Sequence, residues 1–231
     1  MIKRFIPRPI KQKLKKTLQQ RALDRALTEI AQLSPEIPPT NLLERLQTAW
    51  DNEGMAAQTS YLREVAQHAS TTSGPVLECG SGLTTLVVGL LAGRRGVDLW
   101  TLEHYADWHR RVSETLARNN VTRVNNCLAE LKDYGDFAWY NAPLYKLPKK
   151  FSLVICDGPP GSTKGGRYGL VPVLKDRLGP GTIILLDDAH REEEAAALER
   201  WKELLELSVS FHEETRGKYA VITVLGLHDK P

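Results

Sequence analysis

Long apolar runs are missing from this chain: none approaches the roughly 18 residues that a bilayer-spanning helix requires. The charged amino end has no apolar segment behind it, so neither a spanning helix nor a secretory leader is expected. Cysteine is scarce. Cys79, Cys127 and Cys156 are odd in number and show no C-x-x-C spacing, which argues against a disulfide framework and favours a reducing, cytoplasmic setting. Internal repeats and low-complexity segments are absent, and no charge of one sign dominates, the net charge being +3. The small excess hides an asymmetry. Lys3, Arg4, Arg8, Lys11, Lys13, Lys15, Lys16 and Arg21 all precede the first acid, Asp24, so the rest of the chain is mildly acidic and a nucleic-acid-binding face spread over it is not expected. What is there is 231 residues, 42% of them apolar, enough for one domain with a real core and an extension.

The extension occupies residues 1–72. Ile10, Leu14, Leu18, Ala22, Leu23, Leu27 and Ile30 recur at helical spacing among lysines and arginines, and the pattern stops before Pro35, Pro38 and Pro39. Two readings of this basic amphipathic helix stand: residues 2–30 meet an anionic membrane surface or an acidic partner, or the apolar stripe packs on the domain or on a second subunit. Asn41–Trp50 and Ala57–Ser70 read as further helices, with Asn41 and Thr59 near their starts.

The main domain, residues 73–231, is organised around Pro75–Gly82: a short apolar strand ending in an acid, then two glycines flanking a serine. The apolar segment Leu83–Leu91 follows. Gly80 and Gly82 admit positive φ and bring backbone N–H groups at a helix start up to a ligand. Glu78, at the carboxyl end of its strand, favours a ligand with a cationic end. Val97–Leu102 is a second strand, ending at Glu103-His104, and Glu103 follows Gly82 by 21 residues, near the spacing at which a second-strand acid meets ribose hydroxyls. Further strands are expected over Val121–Leu128, Phe151–Cys156 and Thr182–Leu186, with an irregular aromatic stretch over Ala129–Lys150 and a closing antiparallel pair, Ser208–His212 and Tyr219–Leu225. Strands alternating with helices imply a mostly parallel sheet covered on both faces.

Two nucleotide readings fail on particular residues. A dinucleotide fingerprint needs a third glycine where Thr85 stands, and it has no use for an acid such as Glu78 beside a pyrophosphate. The stretch Gly158–Gly165 imitates a phosphate-binding loop, yet it has Thr163 and Gly165 where glycine and a metal-binding hydroxyl are required. The pattern Glu78-Cys-Gly80-Ser81-Gly82, Glu103, Asp157 and a terminal hairpin instead resembles the class I S-adenosylmethionine-dependent methyltransferases, over roughly Pro75 to Leu225. The resemblance implies an α/β Rossmann-like fold: a seven-stranded, mostly parallel sheet with helices on both faces and a C-terminal antiparallel hairpin. It also implies that Glu78, Gly80, Ser81 and Gly82 hold the methionine portion of S-adenosyl-L-methionine, that Glu103, with His104 beside it, takes the ribose, and that Leu128, Ala129 and Glu130 lie near the adenine.

Asp157, Asp187 and Asp188 end strands that are expected to be neighbours, and three converging carboxylates there are a candidate Mg²⁺ site that would lower the pKa of an acceptor hydroxyl. The layout resembles the metal-dependent catechol-type and sugar O-methyltransferases, with departures: Asp188 stands where asparagine is usual and Pro160 where a lysine base is usual. Lys164 and His190 are the remaining candidate bases. In the alternative without a metal, Asp157 positions the amino group or the substrate, Asp188 caps the following helix, and Arg167 ties down its loop. Together these features predict a cytoplasmic O-methyltransferase acting on a small hydroxylated acceptor such as a sugar or glycan, with a homodimer or an inner-membrane contact through residues 2–30. A nicotinamide-dependent oxidoreductase or epimerase, and a non-catalytic scaffold on the same fold, are the rivals.

Overall fold

The computed structural model describes residues 8–33, 37–50 and 57–228. Three helices come first, α1 (Arg8–Gln32), α2 (Thr40–Trp50) and α3 (Thr59–Thr71). Then β1 (Val76–Cys79), α4 (Leu83–Arg94), β2 (Leu99–Glu103), α5 (Ala106–Arg118), β3 (Val124–Leu128), β4 (Leu131–Asp133), β5 (Ala138–Tyr140) and β6 (Phe151–Cys156) follow. The chain closes with α6 (Leu170–Leu174), β7 (Leu178–Leu186), α7 (Glu192–Lys202), β8 (Leu205–Glu214) and β9 (Gly217–Leu227). Seven strands form one sheet in the order β3-β2-β1-β6-β7-β9-β8. The first five of these pair in parallel, and β9 pairs antiparallel with both β7 and β8.

Alternation along the central strands shows that both faces are buried. Val76, Leu99, Leu153, Ile155 and Leu185 enter one apolar cluster with α1 to α4, whereas Leu77, Leu102, Val154, Cys156, Ile184 and Leu186 enter the other with α6 and α7. The division at residue 72 is therefore no break in packing, because Leu23, Leu27, Leu43, Leu62 and Val65 share a cluster with the sheet. Long-range contacts tie α3 to the far end of the chain. Glu214, at the end of β8, accepts the backbone N–H of Tyr61 at 2.9 Å in the first turn of α3, where Gln58 provides no side-chain cap. Tyr61 Oη donates to the Leu185 carbonyl at 3.0 Å, and Tyr219 Oη donates to Glu64 at 3.1 Å.

Three segments differ from the sequence-based expectation. The stretch after β3 contains a small hairpin, β4 with β5, that buries Trp139 and stacks Tyr134 on Phe137 at 5.1 Å. Gly179-Pro180-Gly181 is not a turn ahead of a strand but an irregularity within β7. Leu178 already pairs with Phe151, the register shifts, and Thr182 Oγ1 closes the gap by donating to the Phe151 carbonyl at 2.8 Å. The closing hairpin is longer than expected, running Leu205–Glu214 and Gly217–Leu227.

Candidate active site

A cleft of about 550 Å³ opens at the carboxyl ends of β1, β2, β6 and β7. Gly80, at φ +86°, begins its floor, and Gly158 from the loop after β6 lies against it. A Cβ on Gly158 would stand 2.4 Å from Tyr140 Oη and 3.0 Å from Gly80 N, so the two strand ends meet only because position 158 has no side chain.

Thr85 explains why the third glycine of a dinucleotide loop is absent. Its Oγ1 donates to Glu78 Oε2 at 2.6 Å and accepts the Gly82 N–H at 2.8 Å, while the Thr84 hydroxyl donates to Glu78 Oε1. Glu78, 1% exposed, thereby ties the strand end to the first turn of α4. Burial pushes its pKa up to about 8, against the two threonine hydroxyls, which favour the ionised form. An unfolded glutamate ionises near 4.5, so the folded chain holds the extra proton between these values and loses stability as the pH climbs through that window. Replacing Glu78 by Gln removes this proton release. The stability of Glu78→Gln relative to the parent, from urea unfolding, is expected to improve by about 3 kcal/mol between roughly pH 5.5 and 8.5. A difference independent of pH would show that Glu78 ionises as readily as it does in water.

The second anchor is Glu103, 4% exposed. Its Oε2 accepts the backbone N–H and the hydroxyl of Ser81, each at 3.0 Å, and its Oε1 accepts the Tyr105 N–H at 2.8 Å with His104 Nδ1 3.3 Å away. Trp108 Nε1 donates to the Ser81 carbonyl at 2.5 Å, so the serine between the two glycines is gripped from both sides. Trp108 also meets Trp50 edge-on at 5.6 Å, and the Arg111 guanidinium stacks on both indoles.

At the other end of the cleft, Asp157, Asp187 and Asp188 do converge, one oxygen of each lying within 4.8 Å of the others. Arg167, whose side chain is 2% exposed, lies against two of the three. Its Nη2 donates to Asp157 Oδ1 at 3.1 Å and to Asp188 Oδ2 at 3.0 Å, and its Nη1 donates to the carbonyls of Cys156 and Asp187. Its Nε lies 3.5 Å from Glu194, a fully buried acid in the first turn of α7. The second oxygen of Asp188 pairs with Arg191 at 3.0 Å, and Asp187 Oδ1 accepts the Asp188 N–H at 2.8 Å. Asp188, at φ +54°, is held in the left-handed region by these contacts. The three carboxylates expected to hold Mg²⁺ thus lie close enough to share an ion, but Arg167 already pairs with two of them, and a divalent ion there would compete with it. Burial lowers the tendency of Arg167 to hold its proton, but the charges of Asp157, Asp188 and Asp187 outweigh it and keep the guanidinium charged. Burial, then the Asp188 charge, lifts Asp187 to about 6. Asp157 is pushed up as well, by burial and by Asp187, although 31% of its side chain still faces the cleft.

Of the residues picked out from the sequence, Glu78, Gly80, Ser81, Gly82, Glu103, His104, Asp157 and Asp188 line the cleft, and Asp187 sits behind it. Others stand elsewhere. Lys164 is exposed and donates to the Gly135 carbonyl on the β4–β5 side, and exposed His190 accepts the Lys218 N–H at 3.4 Å, so neither candidate base reaches the cleft. Leu128 is 49% exposed, Ala129 is buried with its N–H on the Glu103 carbonyl at 2.7 Å, and neither they nor Glu130 line the cleft. Trp50, Ala57, Tyr140 and Arg191 also line the cleft although no sequence pattern points to them, and Glu194 braces it from behind. Only the acid-rich start of α7, Glu192-Glu193-Glu194, signalled the last of these.

No family model matches the sequence, and no curated protein matches it either. Solved structures do share the architecture. The chain aligns over 87% of its length with 94% of an S-adenosylhomocysteine-bound methyltransferase of Podospora anserina, at 17% identity and a TM-score of 0.57. It aligns over 75% with 91% of a precorrin-6Y C5,15-methyltransferase of Geobacter metallireducens, at 13% identity and a TM-score of 0.54. An O-methyltransferase of Bacillus cereus in complex with S-adenosylhomocysteine matches 82% of this chain with 92% of its own, at 13% identity and a TM-score of 0.53. The strand order, the glycine turn after β1 and the antiparallel β8–β9 pair, together with these matches, give the chain the Rossmann-like fold of the class I S-adenosylmethionine-dependent methyltransferases.

Proposed function

We propose that this chain is an S-adenosylmethionine-dependent methyltransferase that modifies a hydroxyl of a small molecule, with a sugar or glycan as the favoured class. The observation that carries the reading is one continuous cleft running from the buried Glu103 carboxylate, past the Gly80 turn, to Asp157 and Arg167. The residues fit the cofactor. Glu103 offers a buried acceptor to a ribose diol in place of the Ser81 hydroxyl, Gly82 leaves open space above the turn, and the volume lies within the usual range for ligand pockets. When bound, the cofactor supplies an electrophilic methyl group on a sulfonium. The protein's part is alignment and proton removal. Asp157 lines the cleft with Oδ1 on Arg167 and its other oxygen turned to an acceptor hydroxyl, which places it to receive that proton. Arg167 and Arg191 place positive charge beside the developing alkoxide. The three free cysteines fit a reducing, cytoplasmic location.

Calorimetric titration tests the cofactor assignment. S-adenosylmethionine and S-adenosylhomocysteine are expected to bind at one site per chain and to raise the thermal midpoint, while NAD⁺ does neither. Binding of NAD⁺ in preference to both would sink the reading and support an oxidoreductase.

A further inference from the structure

Only the second half of α1 is packed. Leu23, Ala26, Leu27 and Ile30 are buried in the core shared with α2 and α4. Every described side chain from Ile10 to Leu18 is exposed, including Ile10 at 56%, Leu14 at 52% and Leu18 at 55%. These three repeat at every fourth residue, so they share one side of the helix over about 12 Å. At 100° per residue Lys11, Lys15 and Arg21 fall beside that stripe, and no acid occurs before Asp24. A helical projection of about three turns without support from a body is marginal in water. Something that covers the stripe is what would hold it helical.

We propose that this projection is a membrane-surface anchor: it lies in the plane of an anionic lipid bilayer, with Ile10, Leu14 and Leu18 among the upper acyl chains and the lysines at the headgroups. The chemistry selects this occupant. A second copy of the chain would bring two strongly positive segments together, and a nucleic acid would neutralise the charge but leave the aliphatic stripe in water. An anionic bilayer satisfies both features, since lysine and arginine stems lie along the apolar layer while their heads reach lipid phosphates. Ahead of the described residues the sequence keeps the same mixture, Ile2-Lys3-Arg4-Phe5-Ile6. None of the described helices is long and apolar enough to cross a membrane, which fits surface attachment.

Co-sedimentation of the full chain with vesicles tests the proposal. Binding to phosphatidylcholine vesicles containing phosphatidylglycerol is expected, at least tenfold stronger than to phosphatidylcholine alone and weakened by high salt. Leu14→Asp with Leu18→Asp should reduce that binding at least tenfold while leaving the thermal midpoint unchanged, because neither side chain touches the core; Lys11→Glu with Lys15→Glu should do the same through charge. The proposal is overturned if the chain ignores both vesicle types, or if binding survives both pairs of substitutions. It is equally overturned if light scattering shows a dimer that the aspartates dissociate, or if a short DNA duplex binds the parent and the Leu14→Asp, Leu18→Asp variant alike.

Discussion

Arg167→Met is expected to lower the free energy of unfolding by about 3–5 kcal/mol, the largest stability loss from any single substitution near the cleft. The size follows from what the guanidinium leaves behind. Asp157, Asp188 and the fully buried Glu194 would lose their common partner, and the carbonyls of Cys156 and Asp187 would lose a donor. Urea unfolding measures the loss, and Asp188→Asn placed in the Arg167→Met background should recover part of it, since one uncompensated charge is then removed. A loss below about 1 kcal/mol would mean that solvent already screens the cluster. The same variant examines the metal question. The parent is expected to leave the electron paramagnetic resonance signal of aqueous Mn²⁺ unchanged, whereas folded Arg167→Met exposes three carboxylates and should quench it. Uptake of Mn²⁺ by the parent, abolished in Asp188→Asn, would show that a divalent ion displaces the arginine after all.

Substitution of Glu103 should have the largest effect on ligand binding. Glu103→Ala removes both the expected acceptor for the ribose and the group that holds Ser81 and the Tyr105 N–H, so the dissociation constant for S-adenosylhomocysteine should rise about 100-fold, equivalent to roughly 2.7 kcal/mol. Glu103→Gln retains a carbonyl acceptor and should lose only about tenfold. Calorimetry on both variants separates the two contributions. Equal losses would identify the charge as the whole effect, and no loss in either would remove Glu103 from the cofactor site.

The sheet and the ends of its strands were legible because they are local patterns: short apolar runs, glycines after β1, and acids at positions 78, 103, 157 and 187. The same was not true of what those acids do. From sequence, Asp157, Asp187 and Asp188 read either as metal ligands or, without a metal, as a substrate-positioning acid and a helix cap; their pairing with Arg167, which is distant in sequence from Asp188 and Glu194 yet buried among them, is visible only in the fold. In the sequence Thr85 is merely a missing glycine, although its hydroxyl is the link between Glu78 and the Gly82 N–H. Gly179-Pro180-Gly181 carries the residues of a turn, and only pairing of Leu178 with Phe151 makes it an interruption inside a strand. The apolar stripe of α1 was visible as one pattern, but the point near Leu23 where packing begins depends on where α2 and α4 end up.

The bonds from α3 to Glu214, Leu185 and Tyr219 bear on how the chain folds as it is made. A ribosome delivers α1 to α4, β1 and β2 in the first half of the chain, but Leu185, Tyr219 and the Glu214 carboxylate that completes the first turn of α3 come late. The helices can bury apolar surface on one another early, but α3 gains its hydrogen bonds to Leu185, Glu214 and Tyr219 only when nearly the whole polypeptide has emerged. The locking of α3 onto the far half of the sheet is then a late step, reached only after the closing hairpin has formed.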